Sequence, residues 1–376
     1  MELYTVRPGD SLRSIARRTG GSAALLRQLN QLGDGARLIP NLSLLLPGGG
    51  PSERSERLCG GFAGPGAASD VLRETLPCLS FLCLAPCRLT AQGELPDAEA
   101  APSTEAAREA GVLPFLTVTN LGETGGFSSE NAHALFSDPA ARDRALDALP
   151  EALAERRCAG VNFHFQYLYP FDREGYTRFL SSAAERLHAL GYYLFVTLAP
   201  RESDGQEGIL CAGQDYAVLG GLADRVVLLS CQWGYPYSAP QAISPIGRVR
   251  RTLDYACSVL PAERLLMSLA SGGCRWRLPW RQGDAGAPIG SAEAVDLAVS
   301  VGAELKYDPG AEAPFFTYAD PTGARWVVWF EDARSLRAKL ALAEDYGVGL
   351  CWRSVGRLFR PALLLQQERF DAVKLL

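Results

Sequence analysis

The 376-residue chain is short of several things. It has three histidines and two methionines, and only Lys306, Lys339 and Lys374 among its 37 basic residues are lysines. There is no basic run, and 42 acids stand against those 37 bases, which excludes nucleic acid as an expected partner. No stretch approaches the roughly 20 apolar residues of a membrane span, so no membrane partner is expected. The opening residues, MELYTVRPGD, have neither a basic start nor an apolar core. No signal peptide is readable there, and synthesis in the cytoplasm is expected. Ten cysteines are scattered along the chain, none in a C-x-x-C pair. A zinc cluster or redox motif is thus unsupported, and small buried thiols in a reducing compartment are expected. No motif calls for a cofactor or a metal.

What is there is apolar. With 47% hydrophobic and 21% charged residues, a large core is available. The length suits two domains, or a small module with one large domain. Residues 3–47 read as a unit. Leu3 to Val6 suits a strand, Pro8-Gly9-Asp10 a turn, and Asp10 or Ser11 a helix cap. Leu12, Ile15 and Ala16 are spaced for one helical face. A second helix carries Leu25, Leu26 and Leu29, and an apolar strand from Leu42 to Leu46 closes at Pro47. The pattern is β-α-α-β. The Gly/Pro/Ser-rich segment that follows reads as a linker over 49–57, between a module at 1–48 and a large domain at 58–376.

From residue 58 apolar runs alternate with helical patterns. Candidate strands are Leu58–Phe62, Leu79–Leu84, Leu113–Val118, Val161–Gln166, Tyr192–Thr197, Arg225–Cys231, Leu265–Leu269 and Val348–Trp352. Eight strands with intervening helices predict an α/β fold, a (β/α)8 TIM barrel. After the seventh strand, Phe315–Tyr318 and Arg325–Phe330 flank Asp320-Pro321-Thr322-Gly323 and predict an inserted β-hairpin. Barrel sites sit at the C-terminal strand ends. Asn120, Gln166, Tyr167, Gln232, Trp233, Tyr235 and Trp352 fall there, and the aromatics among them suit stacking on sugar faces.

Two resemblances sharpen this. The runs Y-T-V-R-P-G-D-S-L-R-S-I-A, L-L-R-Q-L-N and N-L-S-L-L-L-P resemble a LysM module. The resemblance implies binding of N-acetylglucosamine-containing glycans between loops at about 8–12 and 35–41. Pro8, Gly9, Asp10, Ser11, Ile39 and Pro40 are the residues it assigns. The segment C-A-G-V-N-F-H-F-Q-Y-L at 158–168 resembles the fourth strand of family-18 glycoside hydrolases, in the subgroup of spore cortex-lytic N-acetylglucosaminidases. L-P-F-L-T-V-T-N at 113–120, Q-W-G-Y-P-Y-S-A-P-Q-A-I-S-P-I at 232–246, V-V-W-F-E-D-A-R-S at 327–335 and G-L-C-W-R-S-V-G at 349–356 support it.

The fourth strand of that family ends in D-G-x-D/N-x-D-x-E. Period-2 spacing puts those side chains on one side of the strand. The Glu protonates the glycosidic oxygen. The Asp before it orients the substrate's acetamide, which attacks the anomeric carbon. Here Ala159 replaces the first Asp, His164 the orienting Asp and Gln166 the acid Glu, while Gly160 and Asn162 keep the pattern. On the sixth strand the family's Tyr and acid, which hold the acetamide, are Cys231 and Gln232. The resemblance further implies Trp352 as the floor of the sugar subsite.

The expectation is a spore-associated glycan-binding protein, of the cortex or coat, in which hydrolysis is lost or strongly impaired. Asn120, Gln166, Tyr167, Trp233, Tyr235 and Trp352 would line its pocket. Two alternatives stay open. One is an active enzyme with a relocated acid, from among Asp172, Glu202, Asp204, Glu207, Glu331 and Asp332. The other is a structural spore-layer protein. His164 with Cys231 and Cys351 is a conceivable soft-ligand set for zinc, but a hydrogen-bonded histidine inside the barrel is the expectation.

Overall fold

The computed structural model describes every residue except 34–36, 49–52, 65–69, 97–101, 207 and 376. The chain begins with the strand Glu2–Thr5, the helices Leu12–Thr19 and Ala23–Leu29, and the strand Ser43–Leu46. The two strands pair antiparallel, Leu3 opposite Leu45. Ser11 caps the first helix, accepting from Ser14 N at 3.1 Å while its own N–H donates to Ser14 Oγ at 2.9 Å.

Eight parallel strands then close into a barrel: Cys59–Phe62, Phe81–Arg88, Leu113–Thr119, Gly160–His164, Tyr193–Leu198, Arg225–Leu228, Leu265–Leu269 and Gly349–Trp352. All eight predicted strands are present. The longest connecting helices, Pro139–Glu155 and Arg173–Ala189, cover the side nearest the fourth strand. Among the described residues, no helix is long and apolar enough to cross a membrane.

The barrel's interior is aromatic at its centre. Phe81 meets Phe195 at 5.1 Å between ring centroids, and Phe115 meets Phe195 at 4.2 Å. Glycine is required beside these rings. A Cβ on Gly60 would lie 2.1 Å from the Phe81 ring, and one on Gly160 would lie 2.2 Å from the Tyr193 carbonyl oxygen.

The predicted hairpin is present but belongs to something larger. Ala313–Ala319 and Arg325–Phe330 pair antiparallel inside a five-stranded sheet with Gly272–Leu278, Ala287–Gly290 and Lys306–Asp308. The helix Ser291–Ser300 packs on it. The extra strands escaped the sequence reading because Gly272-Gly273 opens one of them and the segment 279–290 is rich in Gly and Pro, which mimics a loop.

The segment read as a linker is also partly ordered into a strand. Ser55–Arg57 pairs in parallel with Phe370–Ala372 near the end of the chain, and residues 49–52 lie outside the described part. The described residues among the first 46 lie against the inserted sheet and the last helices. Val6, Ile15 and Leu42 share one hydrophobic cluster with Val295, Phe316 and Phe330. Asn41 Nδ2 donates to the Leu305 carbonyl at 2.8 Å, and Arg337 Nη2 to the Met1 carbonyl at 2.6 Å.

Candidate functional site at the barrel mouth

Alternation along the fourth barrel strand decides what faces the interior. Val161, Phe163 and Phe165 join the barrel–helix core. Phe165 stacks on Tyr176 at 5.5 Å. The intervening Asn162, His164 and Gln166 therefore point inward. Asn162 Oδ1 accepts from Thr197 Oγ1 at 2.9 Å, and the His164 ring lies 5.8 Å from that of Phe62 inside the barrel.

His164 and Gln166 face each other, Nε2 to Nε2, at 2.8 Å. Both are buried. The amide NH2 donates and the imidazole accepts, which leaves the ring proton on Nδ1. Burial holds the His164 imidazole well below its ordinary pKa, and the Arg353 guanidinium pushes it the same way. His164 is therefore neutral at physiological pH.

The backbone around Gln166 is held by side chains. Asn120 Oδ1 accepts from Gln166 N at 3.0 Å, and Asn120 Nδ2 donates to the Gln166 carbonyl at 2.9 Å. Gln214 Nε2 donates to the Phe165 carbonyl at 2.8 Å, and Ser129 Oγ to that of Tyr167. These bonds support the left-handed turn at Tyr167, φ 55°. Asn120 was assigned to substrate. Its side chain is instead fully used on the chain, because a turn with positive φ needs its peptide groups satisfied.

Two other assignments fall differently. Trp352 does not floor the pocket. It pairs with Gly61, while Cys351 pairs with the inward-facing Gly60, so Trp352 faces out of the barrel. It is buried in the helix layer, where its Nε1 donates to Gln366 Oε1 at 2.5 Å. Trp233 does not line the pocket either; Arg248 covers its ring at 3.7 Å from the centroid. Cys231, at the position where the resemblance expects a Tyr, does line the pocket; it is buried beside Ser268, whose hydroxyl donates to Sγ at 3.2 Å, and burial pushes the thiol up.

The pocket itself, about 270 Å³, lies between the ends of the sixth, seventh and eighth strands and the inserted sheet. Gln232, Tyr235, Ser271, Arg353, Ser354 and Arg357 supply its polar lining, whereas Gln166 and Tyr167, expected there, lie outside it. Tyr235 is 43% exposed and offers a ring at the rim. None of the lining residues is Asp or Glu. Sequence reasoning missed Arg353, Ser271 and the inserted-sheet wall. Arg353 had a signal, since it directly follows the eighth strand.

The acids considered for a relocated role are occupied elsewhere. Asp172 pairs with His133 at 2.7 Å. Burial would raise the Glu202 carboxyl, but Arg248 and Arg251, at 2.9 and 3.2 Å, outweigh it and hold it low. Asp204 accepts from Tyr255 at 3.1 Å. Glu331 is buried against Lys339 at 2.8 Å, and Asp332 caps the helix Ala333–Tyr346. Glu207 lies outside the described residues. Among the described residues no three His, Cys, Asp or Glu side chains converge as a metal site, so His164, Cys231 and Cys351 do not form one.

At the N-terminal module, Pro8, Gly9 and Pro40 are exposed, while Ile39 is buried in the cluster with the inserted sheet. Residues 35–36 of the second glycan loop lie outside the described part. Asp10 is occupied structurally. It accepts from Tyr4 OH at 2.6 Å, Arg7 N at 2.9 Å and Arg18 Nη2 at 2.7 Å. The Tyr4 hydrogen bond, then those of Arg7 and Arg18, hold its carboxyl at about 2. An unfolded Asp titrates near roughly 3.9. The stabilisation is therefore complete above that value and lost as the pH falls toward 2. Asp10→Asn should lower the thermal midpoint at pH 7, with the difference from wild type closing as the pH approaches 2. A difference that persists unchanged at pH 2 would contradict this network.

Residues 120–352 match the glycosyl hydrolases family 18, and residues 4–47 match the LysM domain. The chain belongs to glycosyl hydrolase family 18. It is 36% identical over 262 residues to the cortical fragment-lytic enzyme of Bacillus subtilis (strain 168), covering 69% of this chain and 61% of that protein. The chain thus spans about three-fifths of that relative's length. The fold is that of the Bacillus cereus spore cortex-lytic enzyme SleL, with a TM-score of 0.91 at 26% identity over 99% of both chains. The SleL of Bacillus megaterium QM B1551 superposes with a TM-score of 0.82 at 28% identity, covering 100% of this chain and 87% of that one. This family-18 chain is homologous to these spore cortex-lytic enzymes.

Proposed function

We propose that this family-18 chain binds N-acetylglucosamine-containing peptidoglycan of the spore cortex and is catalytically silent or strongly impaired. One observation carries the reading. At the position of the general acid stands an amide, Gln166, hydrogen-bonded to neutral His164, and no Asp or Glu lines the pocket. Substrate-assisted hydrolysis needs a proton for the departing oxygen and an acceptor for the acetamide N–H. The Gln166 amide has no ionisable proton to give. His164 has its Nε2 engaged by Gln166 and its proton on Nδ1, so it has no free acceptor for the acetamide. The buried Cys231 thiol is a weak donor in place of a phenol.

Binding needs none of these groups. Tyr235 offers an aromatic face, and Gln232 and Ser271 offer hydrogen-bonding groups for sugar hydroxyls. The module at 1–48 would anchor the chain to glycan through its exposed Pro8, Gly9 and Pro40, with the barrel at 58–376 as the second contact. The test is calorimetric titration of the full chain with N-acetylglucosamine tetramer, followed by chromatography of the ligand. The expected result is binding with the tetramer recovered whole. Tyr235→Ala should weaken the barrel's contribution by about 1 kcal/mol, several-fold in affinity. Absence of any binding would overturn the reading.

A further inference from the structure

A second cavity, of about 710 Å³, lies at the opposite end of the barrel from the mouth. It opens where the third, fourth and fifth strands begin, beside Leu113, Ala159 and Tyr192. Val112, Pro114, Leu153 and Leu375 complete an apolar floor. Its charged lining is cationic, from Arg108, Arg157 and Lys374, and among the described residues no Asp or Glu lines it. Arg108 Nη1 donates to the Arg157 carbonyl at 3.2 Å, and Lys374 Nζ to the Leu79 carbonyl at 2.6 Å. Each bond uses one of several donors on its group. Glu105 reaches Arg157 at 3.1 Å from outside the lining, with both side chains more than half exposed. A pair so exposed is weak, and an incoming anion can displace it.

The backbone gives an independent sign that Arg157 is present for its side chain. Before the third, fifth and eighth strands the chain leaves a helix in one pattern. The N–H of Val112, Tyr192 or Val348 donates to the carbonyl five residues back, at 2.9, 2.9 and 3.1 Å. The residue before each is a left-handed glycine: Gly111, Gly191 and Gly347. The turn into the fourth strand makes the same bond, from Cys158 N to the Leu153 carbonyl at 2.9 Å, but its left-handed residue is Arg157, φ 52°. A Cβ is unfavourable in that conformation, and such strain persists where a side chain serves a function. Three converging cations match a dianion, and the floor beside them matches an apolar body. We propose that this cavity binds a small organic phosphate monoester, its phosphoryl group on Arg108, Arg157 and Lys374 and its apolar body against Leu113, Tyr192 and Leu375. The site is separate from the barrel mouth and does not depend on the glycan-binding reading.

The experiment titrates the purified chain, at neutral pH and low salt, with phenyl phosphate, inorganic phosphate and benzyl alcohol, and measures sedimentation with phosphatidylglycerol vesicles. Phenyl phosphate should bind roughly tenfold tighter or more than either fragment of it. Arg157→Gly should weaken that binding roughly tenfold or more, while its thermal midpoint without ligand stays level or rises as the turn gains the residue it favours. A merely structural arginine would show the reverse, a lowered midpoint with binding unchanged. Arg108→Met should weaken binding by a similar factor, and it tests the charge without altering the residue at the turn. Absence of phenyl phosphate binding, or undiminished affinity in both variants, would overturn the inference. Sedimentation with the vesicles by a chain that ignores phenyl phosphate would overturn it too, in favour of a membrane contact.

Discussion

Restoring Gln166→Glu alone should not produce a glycosidase. The new carboxyl would be buried at hydrogen-bonding distance from His164. Burial favours its protonated form, so a proton donor returns, but the acetamide of the substrate still finds no carboxylate to accept its N–H. The resemblance places an orienting Asp beside the acid, and here that neighbour is an imidazole whose Nε2 is engaged. Joint replacement of His164→Asp, Gln166→Glu, Cys231→Tyr and Gln232→Glu should restore the coupled carboxylates and the phenol. The gain in hydrolysis of cortical fragments is expected at about 10²–10⁴-fold over the single variant. The check is release of reducing ends, measured for wild type, single and quadruple variants side by side. A single variant as active as the quadruple would refute the need for the acetamide-orienting groups.

The second large effect concerns stability. Lys339 and Glu331 are 1% and 0% exposed and meet at 2.8 Å, with Ser335 Oγ donating to the same carboxylate oxygen at 2.6 Å. Breaking a buried pair leaves a charge without a partner, and typical costs are roughly 3–5 kcal/mol. Lys339→Met should therefore lower stability by about that amount at pH 7. Removing both charges with Glu331→Gln and Lys339→Met should recover most of the loss, because a matched neutral pair avoids the uncompensated ion. Burial already raises the Glu331 carboxyl against the pull of Lys339, and losing the lysine raises it further. A group raised in the folded state stabilises most below its unfolded pKa, near roughly 4.3, and loses that contribution as the pH rises through the folded value. The defect in Lys339→Met should accordingly be smaller near pH 4 than at pH 7, as read from denaturant midpoints at both values. The acid lies behind the pocket, its N–H on the carbonyl of the lining residue Gly272, and is not itself part of the lining.

Much of this architecture was legible in the sequence. Eight apolar runs with helical intervals, from Cys59–Phe62 to Gly349–Trp352, are enough to read a barrel, because parallel strands covered on both faces are apolar throughout. Strand alternation also placed His164 and Gln166 on one inward face. The resemblance misplaced Trp352, where a one-residue difference in parity separates the pocket from the helix layer. Asn120 was correctly placed at a strand end, yet beside the Ser128 carbonyl its partners are the peptide groups of Gln166, 46 residues away, which no local pattern encodes. The pocket wall built by Gly272–Leu278 and Ala287–Gly290 was hidden for a different reason. Glycines and prolines that permit close approach of backbones read as loop when seen alone.

Incubation of the purified chain with cortical fragments, with the B. subtilis cortical fragment-lytic enzyme as control and mass spectrometry of the products, bears most directly on the claim that an amide cannot serve as proton donor here. The account predicts fragments unchanged in mass under conditions where the control digests them to completion. Cleavage by this chain at a rate comparable to the control's would contradict it.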